Sequence, residues 1–217
     1  PRVAIPLSQP VQNILPERFP LDPYLVGVLL GDGCLTTNTI GICKEDLEVI
    51  ERCRPPLEEM GYYLHHLPER NTYAIRRGDT LKETNQHPLK DILVSLGMFG
   101  KRSWEKSIPA CYMDISVESR KALLQGLMDT DGYVRENGHI SFSTTSEVMA
   151  KQFQQLVWSM GDICKVLPKQ KHYTYKGEKK AGRPSFDCSI RSQKPSQYVY
   201  LPRKLARVND QNPSSAD

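Results

Sequence analysis

Tyr24–Gly33 reads YLVGVLLGDG and Leu123–Gly132 reads LLQGLMDTDG. Aligned on the closing Asp-Gly, both carry an apolar run, a Gly five residues before the Asp, and a small residue directly before it. Asp32 and Asp131 stand 99 positions apart in a chain of 217 residues. Two matched halves, each the size of a small domain, are the simplest reading. Each stretch reads as a helix. Asp22 is the N-cap of the first and Pro23 its first helical residue. Ser116 caps the second, with Glu118 in its first turn. The closing glycines are expected as left-handed C-caps.

The first helix has almost no polar face, so it should be buried. Gly27 and Gly31 leave a flat stripe on it, and Gly126 and Thr130 repeat the spacing on the second helix. Two such stripes can pack on each other, so Gly27, Gly31, Gly126 and Thr130 are the expected interface. Asp32 and Asp131 then come together at helix C-termini, where the dipole disfavours a carboxylate. Like charges that close repel unless a proton or a cation intervenes. Two carboxylates completed by water and a substrate phosphate make the ligand set that Mg²⁺ prefers. A single Asp-Gly after a helix is usually only a turn; two in matched contexts ask for chemistry.

The paired stretches resemble the two motifs of the LAGLIDADG homing endonucleases in their single-chain form. Met128-Asp129-Thr130-Asp131-Gly132 follows the family pattern closely, and Leu30 departs from it, standing where the family has Asp. The family's catalytic acid is the last Asp of each motif, so the resemblance implies Asp32 and Asp131, with Gly31 and Thr130 beside them at the metal. It also implies Mg²⁺ as cofactor, with Mn²⁺ or Ca²⁺ able to substitute for binding, and a saddle of two sheets over a long, specific DNA site. Both strands would be cut across the minor groove, leaving short 3′ overhangs. Intein-type members carry active-site lysines. Lys106 in KSIP matches one of them. Lys204 in YLPRKLAR is the choice for the other, with Lys169 or Lys171 as substitutes. PRVAIPLSQPVQ…PLDPYLVG resembles the lead-in to an intein endonuclease segment. The chain begins at Pro1 and shows no splicing residues, so an excised or processed piece without splicing activity is expected.

The remaining segments fit an α+β plan in which two pseudo-symmetric αββαββα halves each hold a four-stranded antiparallel sheet. The expected divisions are an extended Pro-rich arm at 1–20, a first half at 21–112, a second at 113–208 and a disordered tail at 209–217. Cys34–Cys43 reads as a hairpin turning near Thr37-Asn38. Lys44–Met60 reads as a helix interrupted at Pro55-Pro56. Pro88–Leu96 and Ser146–Met160 are amphipathic helices closed by glycines. Asp162–Tyr175 and Ser185–Ile190 read as strands joined by a flexible basic loop, and Gln197–Val208 as a last helix broken near Pro202.

Basic residues on strands and loops mark the expected DNA surface. They are Lys44, Arg70, Arg76, Arg77, Lys82, Arg135, Lys165, Lys169, Lys171, Lys176, Lys179, Lys180, Arg183 and Arg191, interleaved with tyrosines. Lys176–Arg183 is the expected phosphate-tracking segment. The net charge of +4 permits nucleic-acid binding without arguing for it. Six cysteines without a C-x-x-C pair speak against zinc and read as reduced thiols. His65, His66, His139 and His172 lack metal-ligand spacing and read as surface or packing residues. The expected protein is an intracellular monomer of a microbe's cytoplasm or nucleoid, or of an organelle, with no membrane association. The rival readings are an RNA maturase and a catalytically silent DNA-binding protein on the same fold.

Overall fold

Two short helices lie side by side at the centre. α1 (Pro23–Asp32) starts with the Asp22 carboxylate accepting from Leu25 N at 2.9 Å, and Pro23 follows at the first position. α4 (Val117–Thr130) starts with Ser116 Oγ accepting from Ser119 N. The helices run parallel and touch through backbone. A Cβ on Gly27 would lie 2.4 Å from Leu123 O, and one on Gly126 would lie 2.3 Å from Tyr24 O. Gly31 faces Thr130 in the same seam. A side chain at Gly27 or Gly126 would therefore push the helices apart.

This computed structural model describes residues 9–12, 19–37, 39–78, 88–175 and 177–211. Around the helix pair the chain builds the same layer twice. α1 is followed by β1 (Gly33–Cys34), β2 (Gly41–Cys43), α2 (Leu47–Glu59), β3 (Tyr62–Leu67), β4 (Thr72–Arg77) and α3 (Pro88–Ser95). α4 is followed by β5 (Gly132–Val134), β6 (Ile140–Thr144), α5 (Glu147–Ser159), β7 (Ile163–Tyr175), β8 (Glu178–Arg191) and α6 (Pro202–Leu205). Both sheets are antiparallel and share one strand order, β1-β2-β4-β3 and β5-β6-β8-β7. The α+β plan of two αββαββα halves is thus the observed one.

One face of each sheet joins the core. Ile42, Leu64 and Ile75 point inward from the first sheet, and Phe142, Cys188 and Ile190 from the second. Phe142 stacks on Phe153 of α5 at 4.4 Å. Alternation leaves the other face open. There Tyr63 pairs with Arg76 in the first sheet. In the second sheet, Lys165 pairs with Ser189, and Leu167 with Asp187. All six cysteines are free thiols. No described helix is long and apolar enough to cross a membrane.

Four local expectations are corrected. Gly33 is extended at φ −74°, and Gly132 is absent from the positive-φ residues, so neither is a left-handed cap. Their lack of a side chain serves packing instead, since a Cβ would lie 2.2 Å from Leu29 O or 2.3 Å from Met128 O. α2 runs unbroken through Pro55 and Pro56; the prolines remove helix hydrogen bonds, but Val49, Ile50, Cys53 and Leu57 keep its apolar face buried. The basic segment after Tyr175 is mostly strand, because β8 starts at Glu178 and pairs with β7 from its first residue. The last helix is two pieces, a 3₁₀ turn at Pro195–Tyr198 and α6. Asn38, Lys82, Lys176, residues 1–8 and 13–18 of the expected arm, and 212–217 of the expected tail lie outside the described residues. Within the arm, Val11 N donates to Ser159 O at 2.9 Å. Within the tail, Asp210 accepts from Ser196 N at 2.9 Å.

Candidate active site

The parallel packing of α1 and α4 brings Asp32, the last residue of α1, and Asp131, directly after α4, to the same end of the pair. A recess opens beside each. One of about 210 Å³ is lined by Leu30, Gly31, Ser103, Lys106, Asp131, Ser143, Thr144, Thr145 and Met149. The other, about 430 Å³, is lined by Asp32, Cys43, Lys44, Glu45, Asp46, Arg70, Asn71 and Arg203. Ser143 and Cys43 belong to the open sheet faces, so each open face leads directly to a carboxylate.

A lysine closes each motif helix. Lys106 Nζ donates to Leu30 O at 2.6 Å and Gly31 O at 3.1 Å, at the end of α1. Lys204 Nζ donates to Met128 O, to Asp129 O at 3.0 Å and to Gly132 O at 2.8 Å, around the end of α4. The helix carbonyls among these, of Leu30, Gly31, Met128 and Asp129, are at the negative end of each dipole, and an ammonium there is favourable. Burial nevertheless pulls both lysines down, Lys204 to about 8. The charges of Asp131 and Asp32 oppose the shift at Lys106. Surrounding protein pushes the Asp131 carboxyl up, and the Asp32 charge pushes it further, although the residue keeps an open side to solvent.

The segments carrying the lysines are fixed crosswise. Ser146, the N-cap of α5, donates to Lys106 O at 2.6 Å, and Gln152 of α5 brackets Ile108 through both its N and its O at 2.8 Å. On the other side, Arg203 forms a two-pronged pair with Asp46, the N-cap residue of α2, at 2.6 and 2.7 Å. The Arg203 hydrogen bonds hold the Asp46 carboxyl below its usual range. Each catalytic lysine candidate thus leaves one half and is seated by the helix of the other.

The two sites differ. Lys44 Nζ pairs with Asp32 at 3.0 Å and reaches Asp46 at 3.6 Å. By sheet register Lys44 corresponds to Thr144, which carries no charge. Asp129 lies in the second motif where Leu30 lies in the first. Its carboxylate is fully buried and accepts from Tyr24 Oη, Tyr200 N and Leu201 N at 2.9, 3.0 and 3.1 Å. Arg52 lies between the rings of Tyr24 and Tyr200, 3.9 and 4.2 Å from their centres. This knot ties down the strand of chain that delivers Lys204. Sequence reasoning missed Tyr24, Asp46, Arg52, Asp129 and Arg203. The one available signal was the Asp at the sixth motif position of the second stretch.

The expected DNA residues are spread unevenly. Arg76, Lys165, Lys169 and Arg191 occupy open sheet faces, Lys169 paired with Asp187. Arg77 is exposed at the sheet end, Arg135 in the β5–β6 turn, and Arg70 at the rim of the Asp32 recess. Lys44 is committed to Asp32 and not to the sheet face. Lys180 is exposed near Glu178, and Arg183 stacks on Trp104. Lys171 and Lys179 are placed by backbone alone. His65, His66 and His172 are exposed, and His139 meets Ser189 Oγ at 3.3 Å.

A family profile described as a LAGLIDADG-like domain matches residues 118–176, which run from α4 into β7. The chain carries a LAGLIDADG-like domain. The homing endonuclease I-DmoI in complex with DNA and Ca matches with a TM-score of 0.50 over 85% of this chain and 94% of that one. At 10% identity that likeness shows the shared fold alone. The replicative DNA helicase DnaB of Mycobacterium intracellulare is 31% identical over 72% of this chain and 22% of its own length. The homothallic switching endonuclease of Saccharomyces cerevisiae is 24% identical over 81% of this chain and 33% of its own. The chain therefore spans about a fifth to a third of the length of these curated relatives.

The site suits a divalent cation. Asp32 and Asp131 are hard oxygen donors whose mutual repulsion a cation relieves. Among the described residues no three His, Cys, Asp or Glu side chains gather as ligands, so the carboxylates would share the metal with water and substrate. Thr145 Oγ1, buried in the Asp131 recess, has no protein partner, which suits a water-filled site.

Proposed function

We propose that this protein is a site-specific endonuclease of double-stranded DNA, acting as a monomer with Mg²⁺ held by Asp32 and Asp131. The observation that carries the reading is the pair of carboxylates at adjacent helix ends, each beside a lysine-capped motif helix. Gly31 meets Thr130 in the seam directly before the two carboxylates, and a metal bound there would be shared between them. When bound, the metal supplies a Lewis acid for the scissile phosphate and an acidic water. Lys106 and Lys204 hold the two helix ends, and Lys106, which lines the Asp131 recess, brings positive charge to the side where the phosphorane would develop. Water adds to phosphorus, the bridging O3′ leaves with a proton, and each strand ends in a 5′-phosphate and a 3′-hydroxyl. Two sites related by the helix pair would cut both strands across the minor groove and leave short 3′ overhangs.

The open sheet faces, with Arg76, Lys165, Lys169 and Arg191, supply the duplex-binding surface. I-DmoI in complex with DNA and Ca supports the fold's use on DNA. The homothallic switching endonuclease supports the activity class. The match to one stretch of a much longer helicase supports an origin as a module inserted in a host protein, as in an intein. The test is cleavage of a plasmid library of insertion-site candidates with Mg²⁺, with Asp32→Asn and Asp131→Asn in parallel. Site-specific double-strand cuts lost in both variants establish the reading. Binding without cuts by the unaltered protein points to a silent DNA-binding protein, and selective RNA binding to a maturase.

A further inference from the structure

The two hairpins that flank the centre differ in reach. In the first half, Cys43, Thr72 and Leu67 form the last row, and the turn Pro68–Arg70 closes the strands there. In the second half the last three-stranded row is Thr144, Phe186 and Pro168. β7 and β8 continue past it, from the pair Lys169 and Ser185 to the pair Tyr175 and Glu178, with an irregularity between Gln170 and His172. β6 has ended, so this stretch is a two-stranded arm. Its seven β7 residues carry it roughly 23 Å beyond the sheet. A free ribbon of this kind gains little from burial, and isolated hairpins are marginal in water.

Its charge and direction say what it fits. Lys169–Arg183 holds six basic residues and one acidic residue, Glu178. The arm leaves the sheet at the row of Thr144, which lines the Asp131 recess. Its foot rests beside that centre, where the Arg183 guanidinium stacks 3.6 Å from the ring centre of Trp104, two residues before Lys106. The arm therefore projects past the carboxylates on one side, and the first half has no equivalent among the described residues. A two-stranded ribbon fits a DNA major groove, and lysines along it neutralise phosphates.

We propose that the β7–β8 arm is a one-sided clamp on the duplex backbone beside the cleavage centre. The inference rests on the DNA reading above and adds an unequal division of phosphate contacts between the halves. The test compares the full chain with two variants. In one, Lys171, Lys179 and Lys180 are all changed to Gln; in the other, the arm beyond Gln170 is replaced by a two-residue turn. Affinity for a long duplex of arbitrary sequence is measured across a salt series. The Gln variant should bind more weakly, with the slope of log affinity against log salt shallower by about two to three. Hydroxyl-radical footprints on the duplex recovered in the cleavage screen should lose protection on one flank only in both variants. An unchanged slope and footprint, or equal loss on both flanks, overturns the clamp while leaving the endonuclease reading intact. If the unaltered chain binds no duplex, both readings fall together.

Discussion

Tyr24, at the start of α1, donates its hydroxyl at 2.9 Å to the carboxylate of Asp129, near the end of α4. The same carboxylate takes Tyr200 N and Leu201 N. Replacing Asp129 by Leu, the residue of the first motif, would strand three donors in the core. Each buried unsatisfied group costs about 1–3 kcal/mol. Asp129→Leu is expected to lose several kcal/mol in a urea melt, about 3 or more, and Asp129→Asn much less. The sign with pH also follows. Burial raises this carboxyl in the folded state, so the folded form binds more protons once the unfolded group has ionised near about pH 4. Its contribution to stability falls with rising pH until the folded carboxyl has ionised too, and that fall should vanish in Asp129→Asn.

Gly126 should admit no larger residue. A Cβ there meets Tyr24 O at 2.3 Å and Gly27 Cα at 3.0 Å, both backbone. Overpacking against atoms that cannot rotate away costs about 1–3 kcal/mol or more. Gly126→Ala should lower the denaturation midpoint strongly, and Gly126→Val should prevent folding. Expression and circular dichroism would check this.

Divalent metal should be visible in stability without any DNA. In chelator, Asp131→Asn removes a like-charge repulsion and should melt no lower than the unaltered protein. With Mg²⁺ or Ca²⁺ at about 100 times its dissociation constant, the unaltered protein should gain about 2.7 kcal/mol. The variant should gain little. Equal metal-induced shifts in both would remove Asp131 from the metal site.

Lys204 gives a second pH signature of opposite sign. Burial lowers its ammonium to about 8, while an unfolded lysine keeps its proton to about pH 10.4. Between these values the unfolded chain binds more protons, so this group's contribution to stability rises with pH. Below about pH 8 its buried charge is a full cost. Urea midpoints across this window should climb in the unaltered protein and stay flatter in Lys204→Met.

Paired signals made the architecture legible. The repeated Asp-Gly stretches, the caps Asp22 and Ser116, and the glycines after α2, α3 and α5 each have a local cause. Gly61, Gly97 and Gly161 do adopt positive φ at those ends. Contacts between distant residues were not legible. Arg203 and Asp46 lie 157 positions apart, and no local pattern announces that they meet. Lys44 looked like any strand-end lysine until the fold placed it on Asp32. The first part of β8, before Ser185, was hidden because Lys, Gly and Pro have poor strand propensity. Pairing with β7 supplies what composition lacked.

Lys106 grips the first motif through the carbonyls of Leu30 and Gly31. Every amino acid offers a carbonyl, so at position 30 the identity of the side chain carries no information about this grip. The first motif can differ in its lettering and keep the same handle. Recognition by residue type sees the half in which position 129 also performs a side-chain task. Homologues of this kind are better sought by what their backbones present than by what their alphabets spell.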